Sequence, residues 1–463
     1  MQLQFWGACG RVTGSCYLLS VGDSHVLIDC GMIQGSSEDE ELNREPFPFD
    51  PQRIDAVVLT HAHLDHSGRL PLLTKSGYTG PIYTHQASRD LCRIMLRDAA
   101  YLNEMDARTE SRKRQRRGQP EVEPLYRQAD ALDCMRHFRA VQYDHPVEVA
   151  PGIVARFRNA GHILGAAFVE FELRLGDQHK RITFSGDLGQ GATGLMGAPE
   201  KPGPTDLMIL ESTYGDRIHP AWSRTVRQLR DVLEDAWKDR GVVLIPAFAV
   251  GRTQELLLLL HQHYHDWKLD RWRIHLDGPL GVQATAIYAR HAGILGNDAV
   301  DFGRDSGFQL PNMLFTRTPA QSQQLNKAPP GTIIIAGAGM CNGGRIRHHL
   351  KHQLWKPETH VLLVGYQAPG TLGRRLQDGT DTVKLWGDPI HVAARIHTIH
   401  GLSAHADANH LMSWYKSCPN RPPVALTHGE PQSTEALAGA IEEQCGIRAR
   451  IPRFGDRIKL QQL

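Results

Sequence analysis

The densest chemistry in this chain lies in Thr60-His61-Ala62-His63-Leu64-Asp65-His66, an H-x-H-x-D-H cluster directly after the apolar run Ala56 to Leu59. Imidazole and carboxylate groups are ligands for divalent cations, with zinc particularly well suited and other divalent metals also accommodated. Four ligand-capable groups in six residues do not readily face one ion, so the spacing points to two neighbouring ions. If these groups only capped turns, they would be crowded together without a shared partner, which is costly for polar groups leaving water. Histidine is abundant along the whole chain: its 25 copies exceed the 11 tyrosines and 13 phenylalanines combined.

Such a cluster needs strands to hold it. Short apolar runs that end in chemically distinctive residues recur in the first half: His25 to Ile28 before Asp29, Ala56 to Leu59 before His61, and Ile182 to Phe184 before Asp187. They read as buried strands carrying polar side chains into a common space. Gln86 to Tyr101 has helical intervals, and the charged stretch Asn103 to Gln128 contains Arg112-Lys113-Arg114-Gln115-Arg116-Arg117, read as a solvated helix or mobile loop. From Leu207 the alternation becomes regular: strands at Met208 to Leu210, Val242 to Ile245, Ile333 to Ile335 and Val361 to Val364, with a helix at Thr253 to Tyr264. That rhythm predicts a largely parallel sheet flanked by helices. The chain then returns to strand, histidine and helix at Val424 to Leu426, His428 and Ser433 to Gln444.

Composition bounds the rest. With 463 residues and roughly 100–200 residues per domain, two or three domains are expected. An apolar fraction of 41% with 22% charged residues excludes wholesale disorder, and 52 Lys and Arg against 50 Asp and Glu exclude a uniformly basic nucleic-acid coat. Eight scattered cysteines with no C-x-x-C pair are neither a disulfide nor a zinc-finger framework. Met1 to Phe5 lacks the pattern of a signal peptide, and no run approaches the roughly 18 apolar residues of a membrane span. A reducing cytoplasm is the expected location, with no membrane partner.

The chain resembles the metallo-β-lactamase superfamily through Asp29, the cluster from His61 to His66, His162 in Gly161-His162-Ile163-Leu164-Gly165, and Asp187 in Ser185-Gly186-Asp187. Within it, Glu211-Ser212-Thr213-Tyr214-Gly215, Gly401-Leu402-Ser403-Ala404-His405-Ala406-Asp407 and Leu426-Thr427-His428-Gly429-Glu430 look like motifs A, B and C of the β-CASP nucleases. Gly251-Arg252-Thr253-Gln254-Glu255, Asp277-Gly278-Pro279, Gly337-Ala338-Gly339-Met340 and Gly365-Tyr366-Gln367-Ala368 extend the likeness over nearly the whole chain. The resemblance implies an α/β fold: a metallo-β-lactamase αββα sandwich with an inserted α/β β-CASP domain. Residues 1–208 would form the first part of the sandwich, 209–389 the insertion and 390–463 the last part, with the active site in the cleft between the domains. Neither an RNA-binding leader nor a long extension is expected.

By that resemblance two Zn2+ are bound per chain. His61, His63 and His162 would hold one, Asp65, His66 and His428 the other, and Asp187 would bridge them. Asp29 would orient the cluster through hydrogen bonds. The implied activity is hydrolysis of phosphodiester bonds in single-stranded RNA, with His405 as proton donor to the leaving oxygen and Glu211 accepting from its other ring nitrogen. RNA-directed members have a histidine in motif C, as here at His428, where Artemis-like DNA nucleases have an apolar residue. A DNA nuclease of the same fold and a small-molecule metallo-hydrolase are the alternatives, and a homodimer is implied by relatives.

Weaker candidates concern substrate. Arg252 follows Gly251 at the start of a helix, where it would bind phosphate or form a surface ion pair. Gly337 and Gly339, in the glycine-rich stretch to Gly344, would let backbone approach RNA. Ser403 would touch a phosphate beside His405 or cap the following helix. His348, His349 and His352 lie at helical spacing on a basic stretch and read as a solvated face; His397 and His400 receive no role.

Overall fold

Apolar runs that stop abruptly at polar loops become, in the computed structural model, the central strands of three sheets. The structure describes residues 1–191, 194–368 and 370–462, which fall into two units. The first comprises Met1–Gln190, Ala198–Ile218 and His405–Leu463; the second comprises Gly191–Gly197 and His219–Ala404.

In the first unit a seven-stranded sheet runs in the order Arg457–Lys459, Gln2–Phe5, Tyr17–Val21, Ser24–Ile28, Ala56–Val58, Ile82–His85, Phe138–Val141. A six-stranded sheet runs Val424–Thr427, Leu207–Glu211, Gln178–Phe184, Ala167–Leu175, Ile153–Asn159, Pro146–Ala150. Their inner faces share one core, with Leu3, Leu19, Val26 and Val58 from one sheet meeting Phe157, Val169, Phe171 and Ile209 from the other. Alternating residues along Ile153–Asn159 are buried, the period of a strand with one face on a core. Ser24–Ile28 and Ala56–Val58 pair in parallel, as do Gln178–Phe184, Leu207–Glu211 and Val424–Thr427. Parallel pairing brings their carboxyl ends to the same edge of each sheet.

The second unit holds a six-stranded, wholly parallel sheet: Met313–Thr316, Arg273–Asp277, Thr332–Ala336, Val242–Pro246, His360–Leu363, Arg395–Thr398. Leu256 to Leu260, an apolar run on the helix Arg252–Gln262, is buried, as crossover helices on a parallel sheet must be.

The chain passes from one unit to the other at 190/191, 197/198, 218/219 and 404/405, whereas the joins expected from sequence are 208/209 and 389/390. Strand pairing is the reason. Leu207–Glu211 lies between two parallel neighbours of the first unit, whereas Arg395–Thr398 pairs with His360–Leu363 of the second. Of the two readings of the basic run the solvated helix holds for most of it: Arg112, Lys113 and Arg114 form the last turn of one 30-residue helix, Gln86–Gln115, where cations offset the partial negative charge of the helix end, and Arg116 and Arg117 lie in the turn that follows. His349 departs from the solvated face expected of it. His348 and His352 are exposed, but His349 is fully buried, with Nε2 2.6 Å from Asp277 Oδ2, and Asp277 also takes Arg345 and Ser322 at 2.6 Å. No helix among the described residues is long and apolar enough to cross a membrane.

The turn bearing the metal-ligand cluster is laced to the loops that precede Tyr17–Val21 and follow Ser24–Ile28. Ser15 N–H donates to Asp65 O at 2.9 Å, Cys30 N–H to His66 O at 2.8 Å, and Met32 N–H to Leu64 O at 2.8 Å. Gly31 lies so close beneath that a Cβ there would stand 1.7 Å from Asp65 O. Gly31→Ala is therefore expected to cost about 1–3 kcal/mol through overpacking and to lower metal content. Chemical denaturation with elemental analysis checks this; parental stability and metal content would show that the turn is not pinned there.

Candidate metal centre

Each expected ligand sits just past a strand. His61 follows Ala56–Val58, and His63 opens the short helix Leu64–Ser67 that carries Asp65 and His66. His162 lies in the loop between Ile153–Asn159 and Ala167–Leu175, Asp187 follows Gln178–Phe184, and His428 follows Val424–Thr427. Asp29 and His428 take left-handed backbone conformations, φ 56° and 53°, uncommon for residues with a Cβ. Such conformations persist only where surrounding structure holds them; His428 N–H donates to Ala8 O at 2.8 Å and Asp29 N–H to Val58 O at 3.0 Å.

The ligand atoms converge in two sets that share one carboxylate. His61, His63, His162 and Asp187 form the first; Asp65, His66, Asp187 and His428 form the second. Asp187 Oδ2 stands 3.4 Å from His61 Nε2 and 3.5 Å from His162 Nε2, while Oδ1 stands 3.2 Å from His66 Nε2, which is itself 3.0 Å from His428 Nε2. His63 Nδ1 lies 3.2 Å from both His61 Nε2 and His162 Nε2, and His428 Nε2 lies 3.4 Å from Asp65 Oδ2. Two ligand atoms on one tetrahedral zinc, each about 2.0–2.1 Å from the ion, are roughly 3.4 Å apart. The side chains already have that spacing.

A divalent cation also resolves what is otherwise an electrostatic fault. Asp187 is 1% exposed, and neither carboxylate oxygen accepts a hydrogen bond among the described residues. A buried carboxylate without donors is strongly disfavoured. Burial would raise its pKa, but the histidines facing it, His428 and His66 foremost, hold it well below the usual carboxylate range. Burial pushes His61 down to about 3, reinforced by the neighbouring His66, and also lowers His63 and His162. These imidazoles are neutral at pH 7, as ligation requires. The residues fit a metal pair.

Around the ligands lies a set of hydrogen-bonding supports. The Asp29 carboxylate accepts Thr60 N–H at 2.8 Å and the Thr60 hydroxyl at 2.9 Å, and its Oδ2 is 2.7 Å from His66 Nδ1. That contact turns Nε2 of His66 toward the second set. Thr213, quoted in motif A but given no role from sequence, supports His428. Its hydroxyl donates to His428 O at 3.0 Å and lies 3.1 Å from Nδ1, so Nδ1 carries the proton and Nε2 the lone pair. Ser185 is a second residue missed from sequence, its Oγ accepting Glu211 N–H at 2.9 Å. Both were legible only as small hydroxyl residues beside motif positions.

His405 stands at the edge of this centre. Its Nδ1 is 3.3 Å from Glu211 Oε2 and 3.9 Å from Asp187 Oδ2, and the ring packs 4.5 Å from that of His162. Burial alone would lower its pKa; the charges of Glu211 and Asp187 outweigh that and raise it to about 9. Glu211 is fixed in turn, its Oε1 accepting Leu188 N–H at 2.5 Å. Asp187, Glu211 and His405 also form a third convergent group.

The substrate candidates belong to the second unit. Arg252 is buried, its Nη1 2.6 Å from Glu255 Oε2, so its ion pair is internal rather than on the surface. Ser403 does not cap the helix Ala408–Ser417; Asp407 does, accepting His410 N–H at 3.0 Å. Gly339 lies against the ring of Phe248, and a Cβ on Gly337 would meet only Ala247 O, at 3.8 Å. His397, without a role from sequence, has its Nε2 3.0 Å from Nδ1 of buried His360.

Residues 9–246 match the metallo-beta-lactamase superfamily, 253–376 the Beta-Casp domain, and 389–452 the Zn-dependent metallo-hydrolase RNA specificity domain. The chain is 36% identical to Ribonuclease TTHA0252 of Thermus thermophilus over 99% of its own length and 100% of that protein. It belongs to the β-CASP family of metallo-β-lactamase-fold enzymes. Transcription termination factor FttA of Methanosarcina mazei, also similar, shares 32% identity over 96% of this chain and 69% of that one. A crystal structure of a protein of unknown function from Enterococcus faecalis superposes with a TM-score of 0.55 at 15% identity, covering 99% of both chains, and shows the fold alone. Family and cluster together make the protein a metal-dependent nuclease with a divalent metal cofactor.

Thr213→Val removes the hydroxyl that sets the His428 tautomer. Loss of such a support typically lowers metal affinity roughly ten- to hundredfold, and here only one of two ions is expected to weaken. Titration against a competing chelator reads this directly; two unchanged affinities would sink the assignment.

Proposed function

We propose that the protein is a two-zinc ribonuclease that hydrolyses phosphodiester bonds of single-stranded RNA, with His405 as general acid. The observation that carries this reading is the pair of ligand sets joined at Asp187, with the His405–Glu211 pair at their margin. Zinc bound there supplies a nucleophile usable at neutral pH and neutralises charge on the phosphoryl oxygens. The ribonuclease name of the Thermus thermophilus relative, the match to an RNA specificity domain and the histidine at position 428 all favour RNA over DNA.

The chain's own residues do the rest. Glu211, its carboxylate held by the Leu188 amide and its own N–H by Ser185 Oγ, faces Nδ1 of His405 and stabilises its protonated form. With a pKa near 9, the ring carries its proton at neutral pH and can hand it from Nε2 to the leaving oxygen. Asp29 and Thr213 keep His66 and His428 in the required tautomers. His61, His162, Asp187 and His428 are each less than 5% exposed, a recess that supports a flexible single strand as the form able to deliver its phosphate. All eight cysteines are unpaired, which supports a reducing compartment.

Purified protein is expected to cleave 5′- and 3′-labelled single-stranded RNA, to spare the matched DNA, and to stop when a chelator is added. His405→Ala should keep both metals and lose at least about a hundredfold in turnover, the scale of one general acid. Loss of a metal equivalent in that variant would make His405 a ligand, and parental turnover would remove it from catalysis. Cleavage that persists after metal removal would overturn the whole reading.

A further inference from the structure

Single exposed apolar side chains are ordinary, so the 42% exposure of Phe248 needs a second observation before it means anything. That observation is the seat beneath it. Phe248 follows the strand Val242–Pro246 at the carboxyl end of the all-parallel sheet, the edge at which open α/β sheets bind ligands. The registers Pro246↔Ala336 and Leu244↔Val361 set it between the loops that follow the two adjacent strands. A Cβ on Gly339 would lie 2.9 Å from Cδ2 and Cε2 of the ring, and one on Gly365 3.8 Å from Cε2. The ring therefore rests on two residues that have no side chain to displace it.

The seat is braced. Gln367, 3% exposed, donates through Nε2 to Gly339 O at 3.1 Å and Gly365 O at 3.0 Å, tying the two loops together. Thr253 donates to the Phe248 carbonyl from its N–H at 3.2 Å and its hydroxyl at 2.7 Å. Tyr366, next to Gly365, is 41% exposed. A ring positioned this firmly and left open to water is built for contact with another flat apolar surface. The glycine loop that sequence assigned to RNA approach thus carries an aromatic surface.

We infer that Phe248, seated on Gly339 and Gly365 beside Tyr366, is a stacking platform for an unpaired nucleobase of the RNA. The inference rests on the ribonuclease reading. Stacking uses the face that every base has, so the platform adds affinity for single strands without reading sequence.

The test uses metal-loaded, full-length protein and a set of single-stranded RNAs, each with one abasic residue at a different position. For the parent, one position is expected to raise KM roughly tenfold when its base is removed. Phe248→Leu should raise KM on intact RNA by the same factor and lose that sensitivity, while Phe248→Tyr keeps both. A 2-aminopurine at that position should be quenched on binding by the parent, a readout that does not depend on how the leucine variant folds. Equal KM for parent and Phe248→Leu, failure of Phe248→Tyr to match the parent, or absence of quenching at every position overturns the platform while leaving the ribonuclease reading intact. A parent that cleaves no RNA removes both.

Discussion

One carboxylate organises the first unit. Asp187 is buried, accepts no hydrogen bond among the described residues, and presents one oxygen to His61 and His162 and the other to His66 and His428. Four imidazoles can surround a single side chain only if the strands bearing them end at one edge. The parallel pairings of Ser24–Ile28 with Ala56–Val58, and of Gln178–Phe184 with its two neighbours, supply that edge in each sheet. The shared core, in which Val26 and Val58 face Phe171 and Ile209, brings the two edges together. Fold and centre are thus one problem: the polar cluster is tolerable because a cation can occupy it, and attainable because the sandwich holds the strand ends side by side.

Hydrogen bonds beyond the ligands settle what each ring can do. Asp29 on His66 and Thr213 on His428 bear on which nitrogen faces the centre, and Glu211 favours a protonated His405 beside His61, His63 and His162, whose pKa values burial lowers. The pKa values of these histidines are driven apart by their surroundings, His61 to about 3 and His405 to about 9. Divergent pKa values in one site separate groups suited to ligation from a group suited to donating a proton.

Much of this was legible in the residues. The H-x-H-x-D-H spacing marked a metal-ligand cluster, and the motif resemblance supplied His162, Asp187, Glu211, His405 and His428 from remote parts of the chain. Those side chains meet through tertiary packing that no local pattern encodes. Thr213 and Ser185 went unassigned because a hydroxyl residue has no spacing signature of its own. His349 was read as solvated because its helix is basic, yet its partner Asp277 is 72 residues away on a strand. The join expected near residue 390 coincides with the start of the RNA specificity match at 389, whereas the hairpin of Thr382–Leu385 with Asp388–His391 packs within the second unit. Arg252 and Ser403 show the limit of local reading, since a helix start does not reveal whether a guanidinium turns toward solvent or toward Glu255.

The central claim is that Asp187 couples two metal sites into one centre. Elemental analysis of Asp187→Ala beside the parent protein tests it most directly, with folding confirmed by thermal unfolding. The account predicts two metal ions per chain in the parent and fewer than two in the variant, with RNA cleavage abolished. A folded variant that retains two ions and cleaves RNA at the parental rate would contradict it.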